Sequence, residues 1–598
     1  MPIRRAILLL CLASVAAGCT QVSAPAPVND TLRVQYAEDW EYWMREYPEA
    51  ATSLGYPGHD ARWTDYSPAA IEARNTYLRE SLARHRAVDT AGLDAAARLD
   101  YDLYLQMLDA AVRGLDFHND AMPVRGVIPR NLRMPLNQLE GVQQDIPRTL
   151  SLMPAATVQD YENRAARLEA VPALVEQTIA LLQAGLDAGM TPPRIAIRDV
   201  PAQVAGLIVD DPLTSRMLAA FRTWPAGIAE ADRERLTARA VAAYRDRVVP
   251  AFEQLHVFLR DTYLPAARED IAASALPDGA ALYAYNAQWH TTTTLSPQEI
   301  HDIGLGEVTR IRGEMDRVMA DAGFTGGFDA FIRFLRTDPR FYYRTAEELV
   351  AGYRDIAKRA DPGLAPLFGR LPRTPYGVVE MAPEIAPSQT TAFYEPGALG
   401  AGRAGAMHAN TYMLSMRPRW EMEALTLHEA VPGHHLQIAL AQELENLPAF
   451  RSHSSYTAFV EGWGLYAELL GEDMGFYQDP YSKFGQLTYQ MWRAVRLVVD
   501  TGMHALGWSR QQAIDYFAAN APKTEQDIIV EIDRYIVWPG QALGYKIGEL
   551  KIRELRATAA RLLGDRFDIR AFHDEVLGQG AVPLDALEAR IDAWMAAQ

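Results

Sequence analysis

The stretch from Leu425 to Gln437, LTLHEAVPGHHLQ, places His428, Glu429, His434 and His435 within eight residues of a chain that has only 13 histidines. A His-Glu pair on an amphipathic helix is the core of the zinc hydrolase motif H-E-x-x-H, in which two histidines one turn apart hold the ion and the glutamate activates its water. Here, however, the position four after His428 is Pro432. In an unbroken helix His434 would stand about 9 Å along the axis and roughly 120° around it, and His435 about two turns away on the face of His428. Neither pair could share an ion at ~2.0–2.1 Å. Pro432 lacks an N–H and clashes with the carbonyl of His428, and Gly433 follows it, so the helix must break or bulge. Absorbing two extra residues there brings His434 to the second ligand position, with His435 as the substitute ligand or a substrate contact. The competing reading is three histidines that cap and pad a kinked core helix.

Downstream residues favour a site. Thr457 to Leu470, TAFVEGWGLYAELL, reads as a helix with Glu461 and Glu468 seven apart on one face. Zinc hydrolases of this kind draw a third ligand, a glutamate, from the helix after the His-Glu helix. Glu461 follows His434 by 27 residues, enough for a turn and a packed-back helix, and Gly462 and Gly464 permit close backbone approach. Met491 to His504 puts Arg493, Arg496, Asp500 and His504 on one face of an apolar helix. Either this is an exposed salt-bridged face, or it is a buried network in which Asp500 supports a metal-bound histidine and Arg496 steadies the network or meets substrate.

HEAVPGHHLQ, FVEGWGLYAE, RLVVDTGMH and YIVWPGQALGYKIG together resemble the DUF885 family of bacterial proteins, regarded as zinc metallopeptidases with an H-E-x-x-x-G-H-H signature and often lipoproteins. A looser likeness runs to angiotensin-converting enzyme, thimet oligopeptidase and the Taq-type carboxypeptidases, which keep an uninterrupted H-E-x-x-H. The resemblance implies a mainly α fold of two helical halves around a deep cleft, with a small β element beside the metal helix. It implies one Zn²⁺ held by His428, His434 and Glu461, with Glu429 as general base. In the related peptidases an edge strand before the His-Glu helix pairs with the substrate backbone, a part that falls here to Asn410 to Ser415. A tyrosine there stabilises the oxyanion. That role passes to Tyr545 first and Tyr535 second, with Pro539-Gly540 bending the backbone so that Gln541 and Tyr545 aim inward. Arg534 and Lys546 are candidates to bind a substrate carboxylate, or are simply surface residues.

The remaining chain sets this core in context. Residues 1–19, MPIRRAILLLCLASVAAGC, carry Arg4 and Arg5, a short apolar run and an Ala-Ala-Gly-Cys ending. This is an export signal too short to span a membrane, and it resembles a bacterial lipobox that would acylate Cys19. Residues 20–30 form a Pro/Ala/Ser tether. Only Cys11 and Cys19 exist, so the mature chain has neither a disulfide nor a catalytic thiol. A net charge of −18 and no basic stripe argue against nucleic acid. Residues 31–290 read as a helical N-terminal half, with Pro172 and Pro250 kinking or splitting two long helices. Residues 291–598 form the catalytic half, opened by the Ser296-Pro297 helix start.

The expectation is therefore an exported zinc peptidase of the bacterial envelope, periplasmic or anchored to the outer membrane through a lipid on Cys19, acting on short peptides. Hydrolysis of a non-peptide amide is the nearest alternative, and an inactive zinc-containing binding lipoprotein is the alternative from another class.

Overall fold

The computed structural model describes residues 30–598 except 125–128, 384–385, 387–388 and 398–401. The signal and tether expectations, including Cys19, thus lie outside the described residues. The chain is mainly α-helical, with one three-stranded sheet among the described residues.

Helix boundaries follow local chemistry. The Ser296 side chain accepts from the Glu299 N–H, and the Glu299 carboxylate accepts from the Ser296 N–H, closing a capping box at the start of a helix over Pro297–Asp321. Thr345 and Glu348 repeat the device for Ala346–Leu364. The chain stays helical past both internal prolines. Pro172 sits within the helix Val158–Asp187. Pro250 follows a π turn over Tyr244–Val248, which removes the usual hydrogen-bond demand on the missing N–H.

The apolar cores divide the chain differently from halves at 31–290 and 291–598. One core is built wholly from residues between Tyr66 and Ala267. Another joins residues Leu32 to Ala121 with Leu425, Val431, Leu436, Phe459 and Trp463 of the His-Glu region and runs on to Ile591. The first ninety described residues therefore pack on the C-terminal portion, because their Trp and Tyr side chains find their apolar partners there. A further core unites Val308 to Met319 with Met491 to Met503.

Nine helices frame the site: α1 (Gly279–Thr291), α2 (Pro297–Asp321), α3 (Ala346–Leu364), α4 (Met422–Glu429), α5 (His434–Gln442), α6 (Thr457–Asp473), α7 (Pro480–Ala505), α8 (Glu525–Val537) and α9 (Gly544–Leu563). α6 and α9 touch backbone to backbone: a Cβ on Gly548 would fall 1.8 Å from the Ala458 oxygen, and one on Gly462 2.6 Å from Gly548.

The sheet comprises β1 (Tyr376–Glu380), β2 (Ala392–Glu395) and β3 (Gly405–Ala409) in the order β1-β3-β2, with β3 parallel to β1 and antiparallel to β2. This corrects the expected strand at Asn410 to Ser415. The strand ends at Ala409 and is central, so both of its edges are paired. Asn410 is instead a buried anchor, its Nδ2 donating to the carbonyls of Ala386, Gln389 and Thr390. Leu414–Met416 is a 3₁₀ turn. The outer edge of β2 carries no strand partner among the described residues.

Candidate metal centre

α4 stops at Glu429 and α5 starts at His434, so the expected bulge is a break between two helices. The turn folds tightly over the end of α4. A Cβ at Gly433 would sit 1.9 Å from the His428 oxygen and 2.4 Å from that of Leu427, which admits only glycine. The His435 N–H donates to the Ala430 carbonyl at 3.1 Å across the turn. The result is the one the proline-glycine pair demands: the rings of His428 and His434 stand 4.6 Å apart at 84°.

Glu461 completes the group from α6. Its Oε2 is 3.8 Å from His428 Nε2 and 3.6 Å from His434 Nε2, and one ligand atom from each of the three residues lies within 4.8 Å of the others. Donors at ~2.0–2.2 Å from a tetrahedral zinc ion stand about 3.3–3.6 Å from one another, so this set fits the ion with little adjustment. Gly464 makes room for it: a Cβ there would lie 2.7 Å from His428 Cε1.

The charges point the same way. Burial opposes protonation of His428, but its partners Glu461 and Glu468 and the charge of Glu429 outweigh this and raise its pKa to about 10. Burial likewise disfavours the Glu461 carboxylate, yet His428 and His434 hold it well below the usual carboxylate range. Burial raises Glu429, against the pull of His428 and His434. Three carboxylates around two imidazoles call for a cation.

The remaining site residues separate into corrections and partial matches. The carboxylate that holds His428 is Glu468, not Asp500: His428 Nδ1 is 2.9 Å from Glu468 Oε1, and Glu468 is fully buried. The two nitrogens of an imidazole face opposite ways, so one ring bridges two glutamates on the same face of α6. The Glu461/Glu468 spacing carried that signal. Asp500 instead accepts from the Tyr283 hydroxyl at 2.5 Å and the Gly540 N–H at 3.1 Å, fastening the turn between α8 and α9. His435 points away from the cluster, its Nδ1 2.9 Å from the Tyr394 hydroxyl and its ring centroid 4.5 Å from that of Tyr376. Burial lowers its pKa to about 4, so it ties the sheet to α5 as a neutral ring. It is neither a ligand of this cluster nor poised to meet substrate.

Arg496 donates to the Tyr535 hydroxyl at 2.7 Å and to Glu531 at 3.1 Å. The Tyr535 hydroxyl in turn donates to Glu531 at 2.5 Å, so its proton is committed and the expected reserve oxyanion donor is a structural residue. Tyr545 differs. Its ring lies under the Arg496 guanidinium at 4.3 Å, and its oxygen accepts from Arg534 at 3.4 Å. Arg534 also donates to Gln541 Oε1 at 2.8 Å, which turns that side chain toward α8. Lys546 is fully buried against Glu307 and Glu549 at 3.1 and 2.9 Å and is closed to any substrate carboxylate.

The family model for bacterial proteins of unknown function, DUF885, matches residues 48–591. The chain belongs to the DUF885 family. Its fold is similar to that of a putative lipoprotein from Colwellia psychrerythraea, at 28% identity and a TM-score of 0.87, over 96% of this chain and 100% of that one. It is also similar in fold to a putative lipoprotein of unknown function from Shewanella oneidensis, at 16% identity and a TM-score of 0.69, over 94% and 99% of the two chains. No curated protein matches this DUF885 chain. Among its described residues no helix is long and apolar enough to cross a membrane.

Proposed function

We propose that this DUF885 protein is a zinc-dependent peptidase of short peptides. The observation that carries the reading is the convergence of His428, His434 and Glu461 beside Glu429. These three residues would hold the ion, which when bound supplies an electrophile for the scissile carbonyl and makes water acidic enough to attack near neutral pH. A set of three protein donors is what a hydrolytic site would use, whereas a purely structural site would close with four.

Each chain group then has a defined task. Glu429 takes the proton of the attacking water and returns it to the leaving amine. Tyr545 donates its O–H to the oxyanion; Arg534 occupies the acceptor side of that hydroxyl, which leaves the proton free to point outward. The outer edge of β2 offers backbone groups to an extended peptide. Substrate pairing thus moves from the expected Asn410 to Ser415 to Ala392–Glu395.

The first 19 residues and the 28%-identical lipoprotein neighbour support an exported protein, and the Ala-Ala-Gly-Cys ending supports an anchor through Cys19 in the bacterial envelope. The deciding experiment is hydrolysis of a short-peptide library by zinc-loaded protein. Wild type should cleave, and Glu429→Gln should lose on the order of 10³-fold or more in kcat while retaining one zinc. Zinc retained with no cleavage by wild type would leave a binding protein.

A further inference from the structure

Arg493 of α7 is a buried cation that its hydrogen bonds do not account for. It is 6% exposed. Its Nε has no hydrogen-bond partner among the described residues, and its Nη1 reaches only the Tyr489 carbonyl, at 3.5 Å. Arg496, one turn along the same helix, is tied into the scaffold by donating to the Tyr535 hydroxyl at 2.7 Å and to Glu531 at 3.1 Å. Arg493 is packed where Arg496 is bonded. Its guanidinium lies 4.7 Å from the centre of the Tyr489 ring and 5.0 Å from that of Trp492, which steadies a cation without neutralising it. A charge held away from water is costly unless an opposite charge answers it.

The opposite charge is Glu468. Arg493 Nη2 stands 3.8 Å from Glu468 Oε1, the same oxygen that meets His428 Nδ1 at 2.9 Å. Glu468 is fully buried and its Oε2 has no hydrogen-bond partner among the described residues. Among those residues Arg493 is also the one lysine or arginine within 4.0 Å of it. Each side chain therefore has hydrogen-bonding capacity to spare and the other for its counter-charge. His428 on α4, Glu468 on α6 and Arg493 on α7 thus form one line across three helices. The charges close over the same groups. Glu429, Glu461 and Glu468 bring three negative charges to the two imidazoles; a divalent ion would answer two of them, and Arg493 answers the third. A carboxylate behind a ligand histidine fixes the tautomer and orientation of the ring, and it does so only while it is itself held in place.

We propose that Arg493 is a positioning residue for the metal centre, acting through Glu468 on the orientation of His428. The proposal rests on the metal-centre reading above and adds a residue to it. Its test is a double-mutant cycle on the mature chain. Zinc Kd is read by competition with a fluorescent chelator, and the visible spectrum is read with Co²⁺ in place of zinc. Arg493→Gln should weaken zinc binding about tenfold, and Arg493→Lys, which keeps the charge, should restore most of that loss. In a Glu468→Gln background Arg493→Gln should change Kd by less than about twofold, because the residue through which it acts is gone. The Co²⁺ spectra of Arg493→Gln and Glu468→Gln should shift alike from that of wild type, and Arg493→Lys should match wild type. Melting temperatures of the metal-free variants separate these effects from damage to the fold. Arg493→Met, which keeps apolar volume against Tyr489 and Trp492, takes the place of Arg493→Gln if that variant does not fold. Losses that add in the double variant, or an Arg493→Gln that binds zinc as well as wild type does, overturn the role of Arg493 and leave the metal centre standing. A wild type that binds neither ion overturns both.

Discussion

Two polar clusters on apolar helices stand side by side in this molecule and behave in opposite ways. Around α7, α8 and α9, most charged and polar groups end on protein partners at hydrogen-bond distance, with Arg493 Nε, Arg496 Nη1 and Gln490 Nε2 among the exceptions. Asp500 meets Tyr283 and Gly540, Tyr535 meets Glu531, Lys546 meets Glu307 and Glu549, and His504 spends one ring nitrogen on the Ala273 N–H and the other on the Tyr535 carbonyl. Around α4, α5 and α6 the nitrogens of His428 and His434 face Glu461 at 3.8 and 3.6 Å, too far for good hydrogen bonds and suited to an ion between them. One cluster is closed largely by protein partners, and the other keeps the spacing that a cation would fit. That is how a buried scaffold network is told from a reactive one: by the distances its groups keep and by the surplus of one charge. The mere presence of Arg, Asp and His on one stripe does not distinguish them.

The largest test of this contrast lies within one pair of neighbours. His434→Ala should weaken zinc binding on the order of 100-fold or more, since one of three proposed ligands is lost. His435→Ala should keep the ion and lower thermal stability, because it frees the Tyr376 and Tyr394 packing. Zinc content after dialysis against a chelator series, with melting temperature measured alongside, separates the two. Loss of zinc in His435→Ala with retention in His434→Ala would reverse the assignment.

Much of this was legible before the fold. Capping boxes at Ser296 and Thr345 are local and were readable as such. So was the meeting of His428, His434 and Glu461, because Pro432-Gly433 leaves a histidine pair only one way to meet, and Glu461 sits one packed-back helix away. What was hidden depended on contacts between distant segments. The three strands are four or five residues long, and which of them is central is decided by pairing across the chain, so the sequence around Asn410 reads as an edge although it is not one. The helix face of Asp500 suggests a partner for the histidine, but a face does not tell which neighbour it meets. Tyr283, more than two hundred positions away, claimed it. His435 lies next in sequence to a candidate ligand, yet one step along a helix turns it about 100° toward the sheet.

A second test sharpens the contrast by exchanging the two carboxylates that could have held His428. Glu468→Gln keeps the volume and removes the charge that fixes the ring's tautomer, and it should cost about 10–100-fold in zinc affinity. Asp500→Asn should leave that affinity unchanged. Competition with a fluorescent zinc chelator reads both. Equal losses in the two variants would mean that the network around α7 reaches the metal centre after all.

The smallest effect concerns the completed network itself. Burial raises the Asp500 pKa to about 7, against the hydrogen bonds from Tyr283 and Gly540 and the charge of Arg496, while an unfolded aspartate titrates near ~3.9. The folded chain therefore holds a proton there that the unfolded chain has released. The stability this proton contributes is present in full below pH ~3.9 and is lost as pH rises through about 7. Asp500→Asn keeps an acceptor for Tyr283 and Gly540 and has no such proton to lose. The melting temperature of wild type minus that of the variant should accordingly fall by a few degrees at most between about pH 5 and pH 8. A difference that stays flat over this range would place an ionised carboxylate at the α8–α9 turn. The two clusters would then differ in geometry alone and not in the charge they tolerate.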